Sequence, residues 1–148
     1  MAQGGGFGDM LVWLSVVIQR RHAQICADHD LTPAQAQLLC VIKERPQRMA
    51  ELAASMGMSK NALSQLVDRT ERRGLVQRES PERDRRVITL DLTPVGRKLA
   101  ESLYADVADR LPDIAGTLSP ADQRLLERLA TTIAAAHIPT LRSDTKPR

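Results

Sequence analysis

Apolar residues recur every three or four positions along much of the chain, which predicts a mostly helical protein. A long first helix is expected over residues 9–28, with Leu11, Leu14 and Val17 on its apolar stripe. Further helices are expected at 33–43, from Met49 to a stop at Gly57, at 59–73, at 95–114 and from Ser119 onward. The pairs Thr32-Pro33, Thr93-Pro94 and Ser119-Pro120 each combine an N-cap residue with a proline at the first helical position.

Two short segments have strand character instead. Residues 75–79 and 87–92 are bounded by turn residues, and Ile88, Leu90 and Leu92 are expected to alternate inward. Residues 80–86 would join the two strands as an extended hairpin loop. The predicted fold class is therefore mainly α, with a small two- or three-stranded wing.

The helices on either side of Gly57 are arranged as a helix-turn-helix, because a glycine there can adopt the left-handed backbone that ends one helix and turns the chain. The second helix has two faces. Leu63, Leu66, Val67 and Thr70 share one, and Lys60, Asn61, Ser64, Gln65 and Asp68 share the other. A helix of this kind fits the DNA major groove, which is about 12 Å wide, and its polar side chains can meet base edges there.

The predicted hairpin loop carries three arginines within four residues, Arg83, Arg85 and Arg86, around Asp84. Like charges this close repel one another, so a partner of opposite charge is expected. Duplex DNA carries one negative charge per about 1.7 Å of axis, and a narrow minor groove attracts an inserted arginine. The alternative is a solvated charge run, but the position directly after a helix-turn-helix favours a DNA-binding wing, in which Asp84 holds an arginine extended.

Charge is distributed unevenly along the 148 residues. From Lys43 to Lys98 there are 13 basic and 8 acidic residues, whereas the two flanks together hold 8 basic and 10 acidic. This pattern indicates a central module that binds a polyanion, carried by a nearly neutral scaffold.

The apolar run from Met10 to Ile18 has only nine residues, far fewer than the roughly 20 that cross a bilayer. It lacks the basic flank and cleavage site of a secretory signal. We therefore expect a cytoplasmic protein with no membrane partner.

Several motifs between residues 31 and 99 occur together in one known family. They are Leu31-Thr-Pro-Ala-Gln35, Glu51-Leu-Ala-Ala-Ser-Met-Gly57, Leu66-Val-Asp-Arg69, Arg72-Arg-Gly-Leu-Val76, Asp84-Arg-Arg86 and Leu92-Thr-Pro-Val-Gly96. This stretch resembles the MarR family of winged helix-turn-helix transcription regulators. The wing motif Asp-x-Arg, followed by a strand ending in Leu-Thr-x-x-Gly, is the most specific part. Thr70 departs from the family's usual Leu, which is expected to weaken helix packing slightly.

The resemblance implies a homodimer that binds a pseudo-palindromic operator in double-stranded DNA, as a repressor released by a small molecule. It also implies a layout along the chain. The expected segments are a disordered tail at 1–8, a dimerisation helix at 9–30, the winged helix-turn-helix DNA-binding domain at 31–93, dimerisation helices at 94–138 and a loose tail at 139–148. No cofactor is expected.

The expected DNA contacts fall into three sets. Major-groove contacts are Ser59, Lys60, Asn61, Ser64 and Gln65; wing and minor-groove contacts are Arg83, Asp84, Arg85 and Arg86; backbone contacts are Arg69, Arg72 and Arg73. The resemblance implies that Asp84 braces Arg86, which enters the minor groove.

Aromatic and histidine side chains suggest an effector pocket. Trp13 and Tyr104 lie on helices that are expected to approach one another, and we place His22 with them. The alternative is that such residues simply fill an interface between helices.

Metal and thiol chemistry are further alternatives. His22, Cys26 and His29 share one helical stripe, but the outer two lie about 10 Å apart along the axis, too far to bind one ion, so we expect a helix interface and no metal. A thiol-based redox regulator of the same fold is the main functional alternative. For it Cys26, near Arg20 and Arg21, is the better candidate, because Cys40 is predicted to be buried.

The sequence also bears on two other classes of protein, an enzyme and a winged helix that binds only protein. The chain has no nucleophile motif, phosphate-binding loop or HExxH motif, so we expect no enzyme. A winged helix that binds only protein would need an acidic partner for its basic middle third.

Overall fold

Hydroxyl side chains begin four of the helices, as the sequence predicts. Thr32, Ser59, Thr93 and Ser119 each accept a hydrogen bond from the backbone N–H three residues later. The Thr32 N–H in turn donates to Gln35 Oε1 at 3.1 Å, which completes a capping box. These contacts come from a computed structural model, which describes residues 5–80 and 86–138.

The described residues form six α-helices, one 3₁₀ helix and three short strands. In chain order they are α1 (Phe7–Asp28), α2 (Pro33–Ile42), β1 (Gln47–Arg48), α3 (Met49–Ser55), α4 (Lys60–Arg72), β2 (Val76–Glu79), β3 (Thr89–Leu92), α5 (Pro94–Arg110), a 3₁₀ helix (Leu111–Ala115) and α6 (Pro120–His137). The mainly helical fold with a small sheet is confirmed. None of the described helices is long and apolar enough to span a bilayer.

Two predicted helix ends are wrong. The first helix begins at Phe7, so part of the predicted 1–8 tail is helical; residues 1–4 and the predicted loose tail at 139–148 lie outside the described residues. The helix predicted to run to about residue 114, with Pro112 bending or closing its end, is α-helical only to Arg110. Pro112 has no N–H to continue the α-helical hydrogen bonds, and the chain tightens into the 3₁₀ helix there.

The sheet has three antiparallel strands in the order β1-β3-β2. Strand β2 pairs with β3 from Val76 opposite Leu92 to Glu79 opposite Thr89. Strand β1 has only two residues, too few for an alternating pattern to show in the sequence. Of the three residues expected to point inward, Leu90 and Leu92 are buried but Ile88 is 39% exposed, because β3 begins only at Thr89.

The chain divides into two units, Met1–Leu111 and Pro112–Arg148. The core of the first unit draws buried apolar side chains from α1, α2, α3, α4, the turn before β2, the strands and α5. They include Ile25, Leu31, Leu38, Leu39, Ile42, Leu52, Leu63, Leu66, Val67, Leu75, Val76, Leu90, Leu92 and Leu103. In the second unit, no residue of α6 is buried.

Close packing joins the start of α5 to the turn between α4 and β2. The Leu75 carbonyl accepts a hydrogen bond from the Thr93 N–H at 3.1 Å, and the Thr93 hydroxyl donates to the Gly74 carbonyl. A Cβ added to Gly96 would lie 1.8 Å from the Leu75 carbonyl oxygen. Gly96 is therefore needed for the approach of α5, and through it for the position of the turn that ends α4.

We expect Gly96→Ala to destabilise the protein by about 3 kcal/mol or more, because the new methyl group meets backbone that cannot rotate away. Chemical denaturation measures the change. Gly8→Ala is the control, since a Cβ there meets nothing within 4 Å, and its effect should stay below about 1 kcal/mol. Equal stability of the Gly96 and Gly8 variants would contradict the close approach.

Candidate nucleic-acid interface

A tight turn between α3 and α4 sets the direction of α4. Gly57 adopts a left-handed φ of +63°, its N–H donates to the Ala54 carbonyl, and the Met58 N–H donates to the Ala53 carbonyl at 3.0 Å. Ser59 then caps α4 through the Ala62 N–H at 3.1 Å. The helix-turn-helix predicted from the sequence is present.

Helix α4 buries one of its two predicted faces. Leu63, Leu66, Val67 and Thr70 are all buried. The Thr70 hydroxyl donates to the Leu66 carbonyl at 2.7 Å, so the buried polar group has a partner. Thr70, which stands where the family usually has Leu, therefore places no unsatisfied hydroxyl in the core.

The opposite face of α4 carries the predicted major-groove residues. Ser59, Lys60, Asn61 and Gln65 are exposed, and Ser64 is half-buried. Because the buried residues anchor the helix from within, these side chains all project from its outer surface near the N-terminus. They present hydroxyl, amide and ammonium groups, which suit contacts with base edges and phosphates.

Of the predicted wing residues, only Arg86 lies within the described part of the chain; Arg83, Asp84 and Arg85 lie outside it. Arg86 is exposed just before β3 and lines a surface cleft of about 400 Å³. Lys60 and Ser64 of α4 line the same cleft, together with Arg48, Met49, Ala50, Leu63, Val87 and Ile88. The structure thus brings Arg86 and the start of α4 together around an apolar floor.

Arg48 was missed by the sequence interpretation. It adds a third cation to the cleft beside Lys60 and Arg86. It stands in β1, which pairs with β3, and the sequence signal for that strand is too short to detect. Three cations around one cleft make it suitable for a polyanion.

The three arginines predicted to contact the DNA backbone differ in their surroundings. Arg69 and Arg72 are exposed in the last turn of α4. In contrast, Arg73 Nη1 donates to the Asp30 carbonyl oxygen and, at 3.2 Å, to Gln35 Oε1. Arg73 therefore ties the end of α4 to the turn between α1 and α2, a contact between residues 43 apart that the sequence did not indicate.

A second unpredicted arginine, Arg78 of β2, binds α4 directly. Its Nη2 lies 2.6 Å from Asp68 Oδ1 and its Nη1 lies 3.3 Å from Glu71 Oε1. The sequence shows only that acidic and basic residues alternate in this region. It does not show that an arginine of a strand pairs with two carboxylates of a helix.

Helices α1 and α5, which carry the residues proposed for an effector pocket, contact each other as expected. Trp13 and Tyr104 are both exposed, and the Lys43 ammonium lies 4.6 Å from the centroid of the Tyr104 ring. His22 contacts the Cys26 sulfur at 3.6 Å. The first two side chains remain accessible to a ligand or to another subunit.

The expectation that Cys26 is the more accessible thiol is wrong. Cys26 is fully buried, whereas Cys40 is half-buried. Burial raises the pKa of both thiols, and the nearby Cys40 raises that of Cys26 further. Because the thiolate is the reactive form, this setting does not favour Cys26 as an oxidant sensor.

The helical stripe of His22, Cys26 and His29 ends in an ionic cluster. His29 Nε2 lies 2.9 Å from Asp106 Oδ2, and Arg110 Nη1 lies 2.9 Å from the same oxygen and 2.8 Å from Asp28 Oδ2. The hydrogen bond from His29, with that from Arg110, lowers the pKa of Asp106. These contacts join α1 to α5, and the described residues contain no group of three or more His, Cys, Asp or Glu side chains able to hold a metal ion.

Comparison with known proteins agrees with this geometry. The MarR family model matches residues 29–87. The transcriptional repressor CouR, solved bound to a 23-mer DNA duplex, is 30% identical, with a TM-score of 0.72 over 86% of this chain and 92% of that one. The HTH-type transcriptional repressor MdtR of Bacillus subtilis (strain 168) is 36% identical over 89 residues, 60% of this chain and 57% of that protein.

Wild-type MarR from E. coli in its apo form shares the fold, with a TM-score of 0.81 at 22% identity, over 88% of this chain and 98% of that one. These relatives are transcription regulators and not enzymes. On the family match, the agreement with CouR and the winged helix-turn-helix itself, the chain belongs to the MarR family of transcription regulators.

Proposed function

We propose that this protein is a sequence-specific regulator that binds a pseudo-palindromic operator as a homodimer and represses transcription until a small molecule releases it. The observation that carries the proposal is the outward polar face of α4 beside Arg86, with Lys60 and Arg86 lining one cleft. CouR, which shares the fold, has a structure bound to a DNA duplex.

The size of α4 supports insertion into the major groove. Its 13 residues span about 20 Å at 1.5 Å per residue, and the groove, about 12 Å wide, admits one helix. In this arrangement Ser59, Lys60, Asn61, Ser64 and Gln65 reach base edges and nearby phosphates. Gln65 is the strongest candidate for reading sequence, since a glutamine side chain can bond bidentately to adenine.

The wing supplies charge rather than sequence readout. Arg86 enters the minor groove beside the helix, and Arg83, Asp84 and Arg85 directly precede it in the sequence. Arg69 and Arg72 contact phosphates at the other end of α4. Arg73 is not part of this set, because its guanidinium donates hydrogen bonds to the Asp30 carbonyl and the Gln35 side chain.

Exposed apolar faces support the dimer. On α1 the side chains of Met10, Leu11, Trp13, Leu14 and Val17 are exposed, and on α6 so are those of Leu125, Leu129 and Ile133. An amphipathic helix such as α6, with no buried residue of its own, is stabilised mainly by packing of its apolar face against a partner. We therefore assign residues 9–30 and 94–138 to dimerisation and 31–93 to DNA binding.

Release by a small molecule is proposed in preference to release by thiol oxidation. The exposed rings of Trp13 and Tyr104 lie on α1 and α5, which flank the DNA-binding segment in the chain. They can present aromatic surface to an effector. Burial of Cys26 and the raised pKa of both thiols argue against the redox alternative.

The groove assignment predicts different effects at Arg86 and Gln65. Arg86→Ala should weaken binding to all duplexes and reduce the slope of log K against log salt by about 0.9, the loss of one phosphate neutralised. Gln65→Ala should lower discrimination between the selected operator and a scrambled duplex by about 1–3 kcal/mol, with little change in salt slope. Titrations of both duplexes at several salt concentrations measure both quantities. Equal weakening on both duplexes for Gln65→Ala would contradict the assignment.

The dimer interface predicts that a charge on the apolar face of α6 separates the subunits. Leu129→Glu should raise the dimer dissociation constant by at least about tenfold, since burying an unpaired carboxylate is costly. Thr131→Glu is the matched control, because residue 131 lies on the other side of the helix, where its hydroxyl bonds the Glu127 carbonyl. Sedimentation equilibrium distinguishes the two, and an unchanged dimer in Leu129→Glu would place the interface elsewhere.

The preference for ligand over thiol sensing predicts that peroxide leaves the complex with DNA intact. A Cys26→Ala, Cys40→Ala variant should bind DNA within about twofold of wild type, and neither protein should dissociate when treated with hydrogen peroxide. Fluorescence anisotropy of labelled operator follows both. Release of wild type but not of the variant would establish cysteine sensing and exclude the preferred mechanism.

A further inference from the structure

Helix α4 carries two carboxylates on the surface that we propose faces DNA. Asp68 lies seven residues after Asn61 and three after Gln65, so it shares their side of the helix. Glu71 follows one turn later. The side chains of Asp68 and Glu71 are 48% and 40% exposed. Unmatched, two negative charges here would repel the phosphates of a bound duplex.

Arg78 contacts both carboxylates at once. Nη2 reaches Asp68 at 2.6 Å, and Nη1 reaches Glu71 at 3.3 Å. The backbone N–H of Arg78 also donates to Glu71 Oε2 at 3.2 Å. A planar guanidinium with several N–H donors suits this task, because a lysine ammonium could not span both carboxylates in the same geometry.

The fold places Arg78 against α4 through a short turn. The chain leaves α4, turns at Gly74 with φ of +72°, and enters β2 with Val76 buried and Arg78 half-buried. Arg78 pairs with Leu90 of β3 in the sheet. The cation that pairs with the two carboxylates of α4 therefore comes from β2 rather than from α4 itself.

We propose that Arg78 is a positioning residue of the DNA interface, which pairs with both Asp68 and Glu71 and offsets one of their two negative charges, so that α4 presents its cations and amides to the duplex. The proposal rests on the proposed DNA-binding function. Arg78 itself makes no phosphate contact in this role, because its guanidinium is occupied by the two carboxylates. Its loss would leave two negative charges on the bound face of the helix.

The test compares removal of the cation with removal of the whole charge cluster. The variants are Arg78→Ala, the double variant Asp68→Asn, Glu71→Gln, and the triple variant that combines all three. Arg124→Ala removes the same formal charge on α6, outside the proposed DNA-binding segment and on the side of the helix away from the proposed dimer contact Leu129, and serves as the control. Each is titrated with a duplex selected by the wild type from random sequences and with a scrambled duplex, over a range of salt concentrations.

We expect Arg78→Ala to bind both duplexes roughly tenfold more weakly. The triple variant should return to within about twofold of wild type with the wild-type salt slope, because no phosphate contact has been lost. If Arg78 instead bound phosphate directly, the triple variant would remain weak and its slope would fall by about 0.9. That result would overturn the proposal.

The double variant keeps the test decisive even if Arg78→Ala fails to fold. It retains the positive charge of Arg78 but removes the two carboxylates that pair with it. It should therefore bind the scrambled duplex several-fold more tightly than wild type. Unchanged or weaker binding would overturn the proposal. Thermal unfolding reports any loss of packing separately. If the wild-type protein selects no duplex, the proposed DNA-binding function is wrong. If the wild type binds DNA and the triple variant binds weakly, only the proposed role of Arg78 is wrong.

Discussion

Burial of one face of α4 is the constraint on which the rest of the structure depends. Leu63, Leu66, Val67 and Thr70 are almost completely excluded from solvent, and this burial leaves the helix no rotational freedom about its axis. The opposite face is then held outward, with its polar residues in fixed relative positions. The packing of the core thus determines the recognition surface, because the exposed side chains have fixed positions only if the helix that carries them is itself fixed.

Three arginines near α4 lie in different settings. Arg73 and Arg78 bind groups of the protein itself, the first at the turn after α1 and the second at Asp68 and Glu71. Arg86 lines the outward cleft with Lys60. The excess of basic residues in the middle of the chain therefore overstates the charge available to a partner, because part of it balances carboxylates on the same surface.

Helices α1 and α6 each expose a row of large apolar side chains. The N-terminal half of α1 and the stripe on α6 are exposed although both helices are amphipathic, which is unusual unless another surface covers them. In the homodimer that we propose, the partner subunit would cover these faces and at the same time set the spacing of the two α4 helices. Dimerisation and recognition of two half-sites would then depend on the same contacts.

The sequence by itself determined the helices, their caps and the two faces of α4, because periodicity, N-cap residues and Gly57 act over only a few neighbouring residues. The wing was also predictable, except for β1, which is too short to leave a pattern. Only the tertiary structure decided the roles of Arg73 and Arg78, the burial of Cys26 and the placement of Arg48 and Arg86 along one cleft. These depend on contacts between residues far apart in the chain, for example Arg73 with Asp30, and no local pattern encodes which distant group a charged or polar side chain will meet.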